Sequence, residues 1–259
     1  TYQGLFGYVN NASIANVTVD GKITSTNNYV AGIAAYAAGK STITRCVNRA
    51  SVSAKQYVAG VVGYANGDTE IDRCQNNADI TASSSMVGGI VSSVNGVNCK
   101  MTNCFNSGTI SGTGSIGTLV ATGNAKSIIE NNLNIGKAVC TGTMTTIGNV
   151  RAVTSAATGI KNNYVIEHYT NGKDYETVVT ADQLASGEIA VLLGEAWGQN
   201  IGKDKTPVID GKKVYVNEDS YTNNNPAYAD IINFEDVDLN GADYYNGADE
   251  AGLFASSGF

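Results

Sequence analysis

Hydrophobic residues in the first 166 positions of this chain fall into long-period columns rather than into one helical or strand-length stripe. Leu5, Ile33, Val61, Ile90, Leu119 and Val150 follow one another at spacings of 28, 28, 29, 29 and 31 residues. Ile14, Ile43, Ile71, Met101, Ile129 and Ile160 keep step with them. A third column runs Val17, Cys46, Cys74, Cys104, Asn132 and Asn163, and asparagines stand two places after four of its members, at Asn48, Asn76, Asn106 and Asn134. Periods of this size mark a stacked array of one small unit. Each copy carries three short β-prone runs, such as Tyr57–Gly63, Glu70–Cys74 and Asp79–Ala82, separated by Gly, Asn, Asp and Ser.

The pattern predicts an all-β chain: a right-handed parallel β-helix, or solenoid, of about five to six coils. Equivalent residues of successive coils then lie about 4.8 Å apart, and like stacks on like. Aliphatics build a continuous core, and asparagines at one corner pass amide hydrogen bonds along a ladder. A slip of one residue would turn a strand's core residues outward, so length variation belongs at the corners.

Beyond residue 166 the pattern changes. Thr180-Ala-Asp-Gln183 is a capping box, and Ser186–Gly194 reads as a short helix ending at a glycine. Asn171-Gly172 and Asp210-Gly211 are hairpin signals, the second flanked by Thr206–Ile209 and Lys213–Val216. Residues 167–216 are therefore expected to form a small C-terminal cap with a short helix and a hairpin. It would cover the open strand edge and apolar end of the coils, with Trp197 as a plug in the core. Residues 217–259 hold nine acidic residues and no Lys or Arg. They read as a linker, Glu218–Pro226, followed by the start of a further β domain with a strand at Ile231–Leu239.

Gly4-Leu5-Phe6-Gly7, Gly32-Ile33-Ala34-Ala35, Gly60-Val61-Val62-Gly63 and Gly89-Ile90-Val91-Ser92, with the Asn/Arg-Cys-x-Asn element that follows, resemble the GLUG-type repeats of bacterial surface and secreted proteins. The resemblance spans residues 1–166. It implies an extracellular place on the bacterial cell surface and a noncatalytic scaffold or adhesion-type role. The last two copies drift: Thr118 and Asn149 replace the glycine, and Arg151 stands where Val120 does. Tyr244–Phe254 resembles the opening of a jelly-roll-like family in surface proteins of gut Bacteroidetes, which implies ligand capture, of cobalamin or a glycan, through the C-terminal domain. Thr1-Tyr2 enters directly on a repeat strand, so a secretion signal is expected upstream.

Charge and chemistry narrow the partners. Residues 1–160 carry a balance of +4 and residues 161–259 one of −11, against −7 for the whole chain. Nucleic acid is not the expected partner, and no apolar run approaches the roughly 18 residues of a membrane span. Lys40, Arg45, Arg49, Lys55 and Arg73 read either as a solvated surface or as a face for an anionic glycan. Tyr8, Tyr36 and Tyr64, 28 residues apart each time, are the candidate binding residues. They read either as an aromatic stack closing one corner of the coil or as a sugar-stacking platform. The five cysteines are odd in number, and their spacing fits no zinc site. Cys46, Cys74 and Cys104 are expected to be inward-facing, stacked and reduced.

Calcium is the one cofactor the sequence offers. Asp236-x-Asp238-x-Asn240-Gly241 matches the first half of a calcium loop, but Gly247 stands where the bidentate acid belongs. A solvated acidic strand is the other reading of these residues. For catalysis the coils supply only scattered carboxylates, of which Asp68, Glu70 and Asp72 alternate at a turn that reads as a solvated corner. With a single histidine, His168, and no nucleophile or phosphate-loop motif, no enzyme is expected. The sequence therefore points to a noncatalytic extracellular scaffold or adhesion-type module, with a glycan or host- or cell-surface ligand as partner. Ligand capture by the C-terminal domain and a polysaccharide lyase or hydrolase are the alternatives.

Overall fold

A computed structural model describes residues 2–124, 126–142, 146–152, 159–169 and 175–225. The chain divides into two compact units, Thr1–Asn223 and Asn224–Phe259. Every element described here belongs to the first.

That unit is a parallel β-solenoid of about five turns. A representative turn runs through the strands Tyr29–Ala31, Ala34–Ala38, Thr42–Thr44, Val47–Asn48 and Ser51–Ala54. The next runs through Val58–Ala59, Val62–Ala65, Glu70–Asp72, Gln75–Asn76 and Ile80–Ala82. Equivalent strands pair in parallel and in register: Tyr36 beside Tyr64, Ile43 beside Ile71, Asn48 beside Asn76 and Val52 beside Ile80. The first two strands of each turn belong to one ten-stranded sheet, because the long strand Ser115–Gly123 bridges their two columns. The remaining faces are sheets of six, seven and five strands.

One corner of the coil is held by a left-handed backbone in every turn. Asn16, Arg45, Arg73, Asn103, Asn131 and Asn162 have φ between 51 and 59°. Asparagine tolerates that region better than most residues, which accounts for four of the six positions. The residue after each of these returns to the interior, as Val17, Cys46, Cys74, Cys104, Asn132 or Asn163. Cys46, Cys74 and Cys104 are fully buried and reduced. Burial keeps the Cys74 thiol protonated well above its usual range, and the neighbouring Cys74 thiol together with burial does the same for Cys46.

Two residues further on lies the amide ladder. Asn48 Nδ2 donates to Asn76 Oδ1, Asn76 Nδ2 to Asn106 Oδ1, and Asn106 Nδ2 to Asn134 Oδ1, each at 2.8 Å. All four asparagines are wholly buried. A buried amide is tolerable only when its donors and acceptor are satisfied. Here each second N–H goes to the backbone of its own corner, as from Asn76 to the Ala78 carbonyl at 2.9 Å.

The drifted copies have a physical reason. Val165 pairs with Asn134 where the next ladder asparagine would stand, and Asn149 ends the ladder from the opposite wall. It accepts from Asn134 Nδ2 at 3.2 Å and from the Thr118 hydroxyl. It donates to the Glu167 carbonyl at 2.9 Å and to Glu176 Oε1 at 3.1 Å. Val150 pairs with Val120, not with Leu119 as the sequence column has it, because the register shifts between Gly117 and Val120. Leu5 also departs from its column. It is 53% exposed, whereas Ile33, Val61, Ile90 and Leu119 are fully buried.

The segment expected to plug the end of the solenoid does two separate things. Thr177–Val178 adds a last parallel strand beside Tyr164–Val165, and Tyr175 packs against the main core. The rest packs on a flank. Helices α1 (Ala181–Ser186) and α2 (Glu188–Leu193) follow the capping box of Thr180 and Gln183 and meet at Gly187. With Trp197 they bury Phe105, Leu133, Ile135 and Tyr164 in a cluster of its own.

Trp197 is accordingly not a plug of the main core. Its ring sits edge-on to Phe105 with centroids 6.4 Å apart, and its Nε1 donates to the Asn131 carbonyl at 3.1 Å. The hairpin also differs from its sequence signal. Val208–Ile209 pairs antiparallel with Trp197–Gly198 rather than across Asp210-Gly211. The tight hairpin is Tyr215–Asn217 with Ser220–Thr222, which takes in the start of the segment that reads as a linker. Asn171-Gly172 lies outside the described residues.

Candidate functional site

The ten-stranded sheet carries an array of tyrosines on its outer side. In Phe6–Asn10 the side chains alternate, with Tyr8 exposed and Val9 buried. In Ala34–Ala38, Tyr36 is half-buried between buried Ala35 and Ala37. Strict register then stacks Tyr8 on Tyr36 and Tyr36 on Tyr64. Their ring centroids are 5.3 and 5.0 Å apart, and their planes differ by 24 and 16°. These three are the residues singled out in the sequence, and the structure brings them together.

Sequence reasoning missed a second column. Tyr2 pairs with Tyr29, and the Tyr29 and Tyr57 rings are parallel within 2° at 4.8 Å. The two columns meet edge to face: Tyr29 to Tyr36 at 5.9 Å, Tyr29 to Tyr64 at 5.8 Å and Tyr57 to Tyr64 at 5.4 Å, with interplanar angles of 62, 78 and 78°. The signal was present, since Tyr29 and Tyr57 are also 28 apart. It was obscured because the column precedes the Gly-x-x-Gly landmark and is brought alongside the other only when the chain bends within one sheet.

The geometry decides how the array can act. Offset stacking within a column and edge-to-face contact between columns are the two favoured arrangements of aromatic rings. Ring faces within the array are therefore largely turned toward one another, and the surface presents ring edges and hydroxyls. That differs from a row of open faces on which sugars could lie flat; Tyr8 and Tyr2 are 53 and 41% exposed, and Tyr29, Tyr36, Tyr57 and Tyr64 are half-buried in the stack. Burial and neighbouring phenols push the Tyr64 hydroxyl up to about 12 and raise that of Tyr29, so both are neutral hydrogen-bonding groups.

A side-chain amide reaches the array. Asn66 Nδ2 reaches the Tyr36 hydroxyl at 3.4 Å, and on the other side the corner residues Asn27, Lys55 and Ser84 stack through backbone hydrogen bonds. In the following coil Ser93 stands in the place of Tyr64, and Met86 precedes Val87 as Tyr57 precedes Val58. The array ends there.

The other candidate groups are engaged elsewhere or lie outside view. Arg45 and Arg73 do not line an open basic face: their guanidinium Nε atoms are 2.7 and 3.3 Å from the two oxygens of Asp210, which ties the flanking segment to two coils. Among the acidic trio, Asp72 accepts from Thr102 Oγ1 at 2.8 Å and Asn103 Nδ2 at 2.7 Å, and Asp68 accepts from Asn98 Nδ2 at 2.8 Å. Glu70 lies between Thr42 and Lys100. Among the described residues no three His, Cys, Asp or Glu side chains are grouped to hold a metal ion, and no helix is long and apolar enough to cross a membrane. Asp236, Asp238 and Asn240, the calcium candidates, lie outside the described residues. Compared with known proteins, the chain matches no protein-family model and no curated protein.

Proposed function

We propose that this chain is a noncatalytic, extracellular binding module of a bacterial cell surface, and that the tyrosine array is its ligand-contacting face. The observation that carries the reading is the gathering of Tyr2, Tyr8, Tyr29, Tyr36, Tyr57 and Tyr64 into one continuous outer patch. Exposed aromatic patches of this kind mark interaction sites. Tyrosine also gives large contact area at small entropic cost, because it has only two side-chain torsions. A rigid solenoid fixes the rings before the ligand arrives.

The chemistry of the patch suits a polyhydroxylated ligand. Rows of phenols repeat with the strand spacing, and Asn66 donates to the Tyr36 hydroxyl at their edge. A glycan chain, with hydroxyls alternating with apolar C–H surface, matches that pattern. The resemblance of the Gly-Leu-Phe-Gly copies to GLUG-type repeats supports the surface location and the noncatalytic role. The engagement of Asp72 and Asp68 in hydrogen bonds between coils weighs against a lyase or hydrolase built on the acidic trio.

The test uses substitutions that the fold already accepts one coil later. Full-length chain and its Tyr57→Met/Tyr64→Ser variant are compared on a glycan array and by calorimetry with the best ligand. Expected is a loss of affinity of at least about tenfold, the equivalent of about 1.4 kcal/mol, in a variant that keeps its β-sheet circular dichroism. Glycan binding that survives the double substitution would remove the array from the site and move the reading to the C-terminal unit. Turnover of an acidic polysaccharide by the chain would overturn the noncatalytic role.

A further inference from the structure

We propose that the tyrosine array is also a site of oxidative cross-linking, at which a one-electron oxidant joins phenols of neighbouring coils, Tyr29 to Tyr57 first, through a carbon–carbon bond. This does not depend on what the array binds. Phenoxyl radicals couple at the ring carbons ortho to oxygen, so the reaction requires two phenols held close and free to adjust. Tyr29 and Tyr57 meet the first condition better than any other pair of the array, with parallel rings 4.8 Å apart. Both are only half-buried, so a modest side-chain rotation brings two ortho carbons together. Tyr36 and Tyr64, 5.0 Å apart and 16° from parallel, are the second pair.

Two further features favour the reaction at this place. The array is continuous, with every ring less than 6 Å from another ring. An electron removed from exposed Tyr8 or Tyr2 can be replaced from a neighbour, which moves the radical inward to a well-placed pair. The competing reductants are shielded. Trp197 is 5% exposed on the flank, and Cys46, Cys74, Cys99 and Cys104 are wholly buried. Cys140 is the exposed thiol and the chief competitor.

The balance is simple. Each phenol gives up one electron and one proton, and the two radicals form one C–C bond. The hydrogens on the bonded carbons then move to oxygen, restoring two phenols. The protein loses two electrons and two protons in all. With hydrogen peroxide and a haem peroxidase as the oxidant, one peroxide accepts them and leaves as two waters. The product ties adjacent coils covalently across a strand pair that hydrogen bonds already hold in register.

Full-length chain carrying Cys140→Ser, at high dilution, is treated with a haem peroxidase and hydrogen peroxide. The single-chain product is isolated and its peptides are mapped by mass. Expected are blue dityrosine fluorescence, the loss of two hydrogen atoms per link, and a Tyr29–Tyr57 linked peptide as the main product. The linked chain should also melt at a higher temperature. Tyr57→Phe, which keeps the ring, should abolish that peptide and leave Tyr36–Tyr64 as the principal link. Oxidation in denaturant should lower the yield of array links at least about tenfold, because proximity is lost. The proposal is overturned if the folded single chain contains no array links, or if Tyr164, Tyr169, Tyr175, Tyr215 and Tyr221 are linked as readily as the array.

Discussion

Asn76 fills the room that Gly60 leaves across the interior of its own coil. A methyl group on Gly60 would meet Asn76 Oδ1 and the Gly89 carbonyl, and the same opposition recurs for Gly32 with Asn48 and Gly89 with Asn106. Gly32, Gly60 and Gly89 are therefore fixed by the amide ladder and the carbonyl of the next coil rather than by a turn. Gly60→Ala is expected to lower stability by about 1–3 kcal/mol through overpacking. Asn76→Ala should cost about 2–4 kcal/mol, because it leaves the buried Asn48 N–H and Asn106 oxygen without their partners. Urea unfolding of the two variants checks both, and a wild-type midpoint in either would mean that the ladder is not under the constraint described.

The cysteines should separate into two kinds. Cys140 is exposed, while Cys46, Cys74, Cys99 and Cys104 are buried. A thiol reagent is expected to modify Cys140 rapidly in the folded chain and to reach the other four only as the solenoid unfolds, since thiolate formation is suppressed inside. Mass spectrometry after brief alkylation reads this directly. Rapid labelling of Cys74 in the absence of denaturant would contradict the stacked interior column.

Trp197, the only tryptophan of the chain, reports on the flank. Asp210 joins Arg45 with side chains 45 and 44% exposed, so Asp210→Asn is expected to change global stability by no more than about 1 kcal/mol. Trp197→Ala removes the centre of the flanking cluster and should cost about 3–5 kcal/mol. Amide exchange should rise around residues 196–211 in both variants, while the coils before Phe105 stay protected. Equal deprotection of the whole solenoid in Asp210→Asn would show that the flank is not a separate unit of packing.

Alkaline pH should weaken the fold through the array. The Tyr64 phenol is raised to about 12 by burial and by neighbouring phenols, whereas an unfolded tyrosine titrates near about 10. A folded-state value above the unfolded one means that the stabilisation is complete below about pH 10 and is lost as pH rises toward 12. Denaturation midpoints measured across that window should fall. Tyr64→Phe should fall less steeply, and an identical slope in the two proteins would remove Tyr64 as the cause.

Much of this architecture was legible along the chain because a parallel solenoid converts sequence period directly into spatial neighbourhood. Ile43, Ile71 and Met101 had to stack once their spacing was known, and so did Asn48, Asn76 and Asn106, because strands of successive coils can pair in only one register without turning the core outward. The same arithmetic placed Tyr8, Tyr36 and Tyr64 in one row. It failed where a local event broke the period: the shift after Gly117 moved Val150 from Leu119 to Val120.

What the sequence by itself determined, then, was most of what repeats: the coil, its core columns, the buried thiols, the ladder and one row of tyrosines. Only the tertiary structure decided the relations between different faces of a coil and those made by single-copy segments. Among these are the bend that sets Tyr29 and Tyr57 beside Tyr36 and Tyr64, the edge-to-face angles that turn ring edges outward, and the docking of Trp197 and Asp210 on a flank rather than across the end. The physical reason is that a repeat specifies contacts between equivalent positions through backbone register alone. Contacts between different faces of a coil, or between the coils and a single-copy segment, depend on how side chains of unequal size fill space. Phe105, Leu133 and Tyr164 face outward on the flank, and no spacing in the chain announces what will cover them.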